Sequence, residues 1–172
     1  MNLLEFGANG NPQPSNKKQN KGEKTMSLVL KNRTVFNSLY ELDKSCFEKA
    51  NDAYKTYGVL GGTVAALKEG ASYTVVPADG TNQPIGLFVN NAAGNPFDNA
   101  PAVASNKIAI ACKMPSVEVD VYADVEFKVG EKLYSDANGY LTNVKGANET
   151  VIGIVTKTPT VADPFLGLEM AI

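Results

Sequence analysis

The stretch that most constrains this chain runs from Val117 to Val129. Its odd positions are all apolar: Val117, Val119, Val121, Ala123, Val125, Phe127 and Val129. Its even positions, Glu118, Asp120, Tyr122, Asp124, Glu126 and Lys128, are charged apart from the tyrosine. Strand side chains alternate faces with period two, so the pattern predicts one dry face and one wet face. Burying the dry face contributes roughly 10–20 kcal/mol gross. Ordering the backbone costs a similar amount at ~1–2 kcal/mol per residue. Such a strand needs a sheet or a core against its dry side. It also exceeds the usual strand length of roughly 5–6 residues, which predicts a bend or break near Ala123 and Asp124.

The missing residue types narrow the chemistry. The chain has 172 residues, enough for one domain with a sizeable core, yet no histidine, no tryptophan and only two cysteines. Without histidine, a Ser-His-Asp or Cys-His nucleophile pair is impossible within one chain, and a structural zinc site is nearly excluded. A formal net charge of −2 argues against a basic nucleic-acid binder. No apolar run approaches the ~18 residues of a membrane span. Met1–Phe6 followed by Gly-Asn-rich sequence lacks the apolar core of a signal peptide, so folding in a cytoplasm is expected. Cys46 and Cys112 are then expected as reduced, buried small residues and not as a bridge.

Residues 1–25 read as an extended, flexible N-terminal arm rich in Asn, Gly, Pro, Gln and Lys. Leu3, Leu4 and Phe6 are its large apolar side chains besides Met1, and Lys17, Lys18, Lys21 and Lys24 outnumber Glu5 and Glu23. Two readings stand: a frayed tail, or a segment whose apolar tip docks on a partner while its lysines meet an acidic surface. Met26 offers an alternative start. Residues 26–172 read as a single β-rich domain. Ser27–Leu30 suggests a short strand. Ser38 with Glu41 fits a capping box, and Leu39, Leu42, Cys46, Ala50 and Ala53 follow at helical spacing up to Gly58, predicting one packed helix over 39–57.

Beyond Gly61 the pattern is short strands and turns. Strands are expected at 63–67, 72–76, 84–89, 107–114, 131–135, 140–143, 151–157 and 165–172. Asp79-Gly80 between two β-prone runs signals a hairpin. Ile85, Leu87 and Val89 alternate, Gly153 suggests a bulge or a close contact, and Leu166, Leu168, Met170 and Ile172 share one face. Residues 90–106 form a long small-residue loop carrying Phe97, which either tucks back onto its own body or serves as a partner anchor. Many short strands with Gly and Pro turns and one helix argue a β-barrel or sandwich.

No motif for catalysis stands out. Glu118, Asp120, Asp124 and Glu126 line the wet side of the long strand, as a solvated face, a hard-cation site or a glycosidase pair. Gly58–Thr63 is glycine-rich but lacks the Gly-Lys-Ser/Thr of a phosphate loop and reads as a chain reversal. Asn32-Arg33-Thr34 and Asn148-Glu149-Thr150 match the glycosylation triplet, and with folding in a cytoplasm expected the matches are expected to be chance.

The C-terminal half carries a likeness. Lys128–Thr142 (KVGEKLYSDANGYLT), Val151–Thr156 (VIGIVT) and the closing Leu166–Ile172 (LGLEMAI) resemble the head-decoration, or capsid cement, proteins of tailed bacteriophages. The Lys68-Glu69-Gly70 turn and Pro84–Phe88 (PIGLF) are similar to upstream segments of that family, so the likeness spans roughly residues 60–172. It implies a small β-barrel or β-tulip-like domain, often trimeric, sitting on the outer shell where major capsid subunits meet. It further implies an N-terminal segment that orders on that shell; Leu3, Leu4, Phe6, Lys17, Lys18, Lys21 and Lys24 of the arm, with Phe97 of the 90–106 loop, are the expected capsid contacts. The expected role is that of a non-enzymatic virion protein without cofactor or metal, assembled in the host cytoplasm and touching neither nucleic acid nor membrane. The capsid-proximal base of a head fibre, or a host-attachment module, is the alternative.

Overall fold

The computed structural model describes residues 28–30, 37–48, 59–91 and 107–172. The leading arm and the Phe97 loop lie outside them. The described chain is mainly β, in the order β1 (Leu28–Leu30), β2 (Asn37–Leu42), α1 (Ser45–Glu48), β3 (Val64–Leu67), β4 (Thr74–Pro77), β5 (Pro84–Phe88), β6 (Lys107–Ala111), β7 (Val117–Val119), β8 (Lys132–Ser135), β9 (Leu141–Thr142), β10 (Gly153–Lys157) and β11 (Leu166–Met170). Strands β2-β4-β3-β5-β6 close into a five-stranded barrel. The others form a sheet in the order β1-β7-β11-β10-β8-β9. Within the barrel, β2 and β4 are parallel and the remaining pairs antiparallel.

Two cores result. Leu42, Cys46, Ala65, Val75, Phe88, Ile108 and Ile110 fill the barrel. The barrel's outer side then contributes Val64, Ala66, Leu87 and Ala111 to a second core with Val117, Val119, Leu133, Val155, Leu166 and Leu168 of the sheet. Strand β3 is therefore buried on both faces, which is why Val64-Ala65-Ala66 reads as an unbroken apolar run without alternation. Where β5 meets β6, a Cβ on Gly86 would lie 2.2 Å from the Ala111 carbonyl oxygen. A bulge between Ala65 and Ala66 leaves Ile85 as the extra residue of β5. In consequence Ile85 packs on the barrel core while Leu87 packs on the shared one, so the expected Ile85/Leu87 alternation fails.

The helix expected over 39–57 is corrected. Residues 39–42 belong to β2, and the helix is one turn, Ser45–Glu48; residues 49–57 lie outside the described chain. Leu39, Leu42 and Cys46 stand at helical spacing, but burial runs with period two: Tyr40 and Leu42 point to the barrel core, and Leu39 is exposed. Five register pairs with β6 and two with β4 supply the backbone partners that a helix would have found internally. The expected Ser38/Glu41 capping box is replaced by Asp43, whose carboxylate accepts the Ser45 backbone N–H at 3.0 Å and its hydroxyl at 2.5 Å.

Two other readings change. The long strand is in register only over Val117–Val119, because its partners begin there: Val119 faces Leu28, the first residue of β1, and Leu166, the first of β11. With no strand pairing beyond it among the described residues, the chain crosses to β9, where Ala123 N–H donates to the Leu141 oxygen at 2.9 Å. The Asp79-Gly80 turn joins no hairpin, since β4 and β5 flank β3 on opposite sides. The hairpin is β3–β4, closed by Lys68 N–H to the Thr74 oxygen at 2.9 Å. By contrast, β1, β3, β8, β9, β10 and β11 fall inside or beside their expected ranges, and Leu166, Leu168, Met170 and Ile172 all pack on the shared core. Cys46 is buried and Cys112 half-buried, with no disulfide between them.

Close backbone approach gives a stability test. A Cβ on Gly153 would sit 2.5 Å from the Glu169 oxygen across β10–β11, whereas one on Gly70 meets nothing within 4 Å at a φ of +74°. Gly86→Ala and Gly153→Ala are each expected to cost about 1–3 kcal/mol. Gly70→Ala, strained by its left-handed φ alone, should cost about 1–2 kcal/mol and less than either. Thermal unfolding of the three variants checks the order; equal losses would contradict the close-packed seams.

Candidate interaction surface

The sequence-predicted contacts Leu3, Leu4, Phe6, Lys17, Lys18, Lys21, Lys24 and Phe97 all lie outside the described residues, so the structure does not bring them together. What it describes is where the chain leading from them joins the body. β1 forms one rim of the six-stranded sheet, pairing through Leu28, Val29 and Leu30 with β7. Its other side pairs with no described strand. The opposite rim, β9, is partly covered by the Tyr122–Ala123 segment. Open edges are sites where an extended segment adds a strand, and a three-residue edge is the usual way of keeping that tendency in check.

The carboxylate row does not survive as a wet face. Glu118 is drawn to Lys157 at 3.2 Å, and the same ammonium reaches Asp163 at 2.6 Å. The Lys157 stem crosses Gly167, where a Cβ would come within 2.8 Å of Lys157 Cβ. Both carboxylates raise the Lys157 pKa, the Asp163 hydrogen bond most. Asp120 is buried at 3% exposure, leaving Asp124 and Glu126 exposed. Beside them Tyr122 stacks edge-on against Phe127 with ring centres 5.6 Å apart and donates its hydroxyl to the Pro164 oxygen at 2.8 Å. Burial, followed by the negative charges of Asp120 and Asp124, raises the Tyr122 pKa. No group of three potential metal ligands occurs among the described residues.

A second surface lies on the barrel's free side, and the residue pattern hid it. Leu39 is 67% exposed on β2, and Tyr73, at the turn into β4, is 79% exposed with φ +54°. They lie on the two sides of one seam, where Glu41, two residues after Leu39, donates its N–H to the Tyr73 oxygen at 2.9 Å and faces Thr74. The helical spacing of Leu39 suggested burial, and nothing in the sequence pattern singled out Tyr73. Beneath them Asp43 accepts hydrogen bonds from the Lys68 ammonium and from Ser45, tying the β3–β4 turn to the start of α1. Of the glycosylation triplets, Asn148 turns inward and donates to the Asn82 oxygen at 2.7 Å; Asn32 lies outside the described residues. Of the Gly58–Thr63 run expected as a chain reversal, residues 61–63 turn the chain, with Gly61 N–H held by Asn91 Oδ1 at 2.7 Å and Gly62 N–H by the Phe88 oxygen at 2.8 Å; Gly58 lies outside the described residues.

The chain matches no protein-family model and no curated protein.

The Asp43 tie sets an acid dependence. The Lys68 hydrogen bond, then that of Ser45, lowers the Asp43 pKa from 3.8 to about 2. On acidification the unfolded chain therefore takes up this proton first. The stabilisation is complete above the ordinary pKa of 3.8 and is lost as pH falls from there towards about 2. Melting temperature should fall more steeply through that window in the wild type than in Asp43→Asn; parallel pH profiles would count against the tie.

Proposed function

We propose that this protein is a head-decoration protein of a tailed bacteriophage, binding the outer surface of the capsid and stabilising it. The observation that carries this reading is the polarity of the chain about an open sheet edge. Residues 1–36 contain six basic and two acidic side chains, while residues 37–172 contain ten basic and sixteen acidic ones. The basic part enters the body at β1, the edge with no second partner among the described strands. The resemblance of residues 60–172 to capsid cement proteins supports the same reading, as does a small closed barrel.

The mechanism is interfacial and involves no catalytic step or cofactor. Leu3, Leu4 and Phe6 bury apolar surface on the major capsid protein, and Lys17, Lys18, Lys21 and Lys24 face its acidic groups. Phe97 adds a contact, and backbone pairing at exposed edges fixes direction. Many copies on one shell, as trimers, make modest affinity per copy sufficient, because a ligand that binds only the assembled state stabilises it by mass action. Nucleic acid and membrane have no part in the mechanism, and among the described residues no helix is long and apolar enough to cross a membrane.

Deleting residues 1–27 tests the reading. Mixed with undecorated heads and sedimented, the full chain should co-pellet, and the truncated one should bind about tenfold or more weakly. Raising the salt should weaken the full chain, since exposed ion pairs are screened beyond ~8 Å at physiological ionic strength. Equal binding by the two chains rejects the arm mechanism; failure of the full chain to bind heads rejects decoration altogether.

A further inference from the structure

A cleft of about 470 Å3 opens between α1, the end of β4 and the β8–β9 turn. Cys46 and Ala78, both buried, form its floor. One wall is the Asp79–Asn82 turn, where the Asp79 carboxylate accepts the backbone N–H groups of Thr81 and Asn82, each at 2.9 Å. The other wall is the turn over 136–140, where the Asp136 carboxylate accepts the N–H groups of Asn138 and Tyr140, each at 2.8 Å. This second wall is fixed to the barrel by the Val64 N–H, which donates to the Gly139 oxygen at 2.8 Å. Both sides are held in place before any ligand arrives, which lowers the ordering cost of binding.

The chemistry of the lining restricts the occupant. The Oδ1 of Asn82 accepts the Asp79 N–H at 3.2 Å, but its amide nitrogen has no protein partner among the described residues. Neither has the side-chain amide of Asn138 or the hydroxyl of Tyr140. Among the described residues no lysine or arginine lines the cleft, so a phosphate or carboxylate would meet no cationic partner there. Among the described residues of its lining, Asp79 is the one charged side chain. A single carboxylate already accepting several hydrogen bonds is a poor cage for a hard cation, which takes six or more oxygens. Amide donors and acceptors, one carboxylate acceptor and one phenol ring suit a neutral molecule bearing several hydroxyls and an apolar C–H face. The volume falls within the ~300–1,000 Å3 of small-molecule clefts.

We propose that this cleft binds a neutral mono- or disaccharide, with Asn82, Asn138 and Asp79 hydrogen-bonding its hydroxyls and Tyr140 lying against the ring. The proposal stands apart from the capsid reading and can fail or hold without it. The test is an NMR titration of the isotope-labelled full chain with glucose, galactose, mannose, N-acetylglucosamine and maltose, each to millimolar excess, and with glucose 6-phosphate. At least one neutral sugar should give saturable shifts centred on the amides of Asn82, Asn138 and Tyr140, and glucose 6-phosphate should bind no better than glucose. Asn138→Ala, which removes a side chain without protein partners, and Tyr140→Phe, which keeps the ring, should each weaken that sugar about threefold to tenfold. Absence of localised shifts with all five neutral sugars, preference for the phosphorylated one, or unchanged titrations in both variants would overturn the proposal.

Discussion

The wall made by β3, β5 and β6 is buried from both sides, and the rest of the molecule is arranged to satisfy it. A five-stranded barrel has a narrow bore, so the side chains pointing in and out of this wall cannot all be large. Ala65 and Ala66 on β3, Gly86 on β5 and Ala111 on β6 are the residues that let the strands approach. Large side chains are placed where there is depth: Phe88 and Ile110 inside, Leu87 and Val64 outside. The outer surface of that wall is too apolar to face water, so the six-stranded sheet is obligatory. The same step binds the halves together, because Val64 belongs to the barrel's wall, the shared core and the backbone bond to Gly139 at once.

Closing the barrel removes its edges and concentrates the problem of open backbone on the sheet. There the two rims differ. β9 is partly covered by the chain that left β7 when β7 ran out of partners, so the early end of the long strand and the covered rim are one event. β1 has no comparable cover among the described strands. On the sheet's wet side the Lys157 ammonium spans Glu118 and Asp163, joining β7, β10 and the segment before β11 across the glycine at 167. Exposed pairs of this kind contribute little singly, and their effect here is to hold a connecting loop against a pleated surface.

Much of the β architecture was legible because local and tertiary preferences agree. The turn over 136–139 has Asp, Asn and Gly where its backbone needs a side-chain acceptor and a positive φ, and both flanking strands lie where their patterns put them. Gly153 signalled close contact and lies against the Glu169 backbone. The misreadings arise where partners decide. Leu39, Leu42 and Cys46 satisfy a helical stripe and a strand followed by one helical turn equally well, and only pairing with β6 selects between them. The order β4-β3-β5 was hidden because a turn residue pair reports a reversal, not which strand lies beside it. Asp120 looked solvated by alternation alone, yet is buried once the chain stops pairing at Val119. Of the candidate surface, the arm expected from composition lies outside the described residues, while Leu39 was read as core because an apolar residue in a regular segment suggests burial.

The division between a rigid body and a basic leading segment bears on how the proposed binding would distribute its costs. A partner engaging the body meets strands already paired and turns already fixed by Asp43, Asp79 and Asp136, so little ordering remains to be supplied there. A segment of low hydrophobicity gains few contacts per residue and bears the ordering cost of whatever it docks. Affinity in such a design depends chiefly on the few large apolar side chains of the segment, and its direction on the edge from which the segment departs. The excess of acidic groups over residues 37–172 then has a second consequence. In the proposed binding an acidic shell would compete with that excess for the lysines of residues 1–36, and discrimination would fall to Leu3, Leu4 and Phe6.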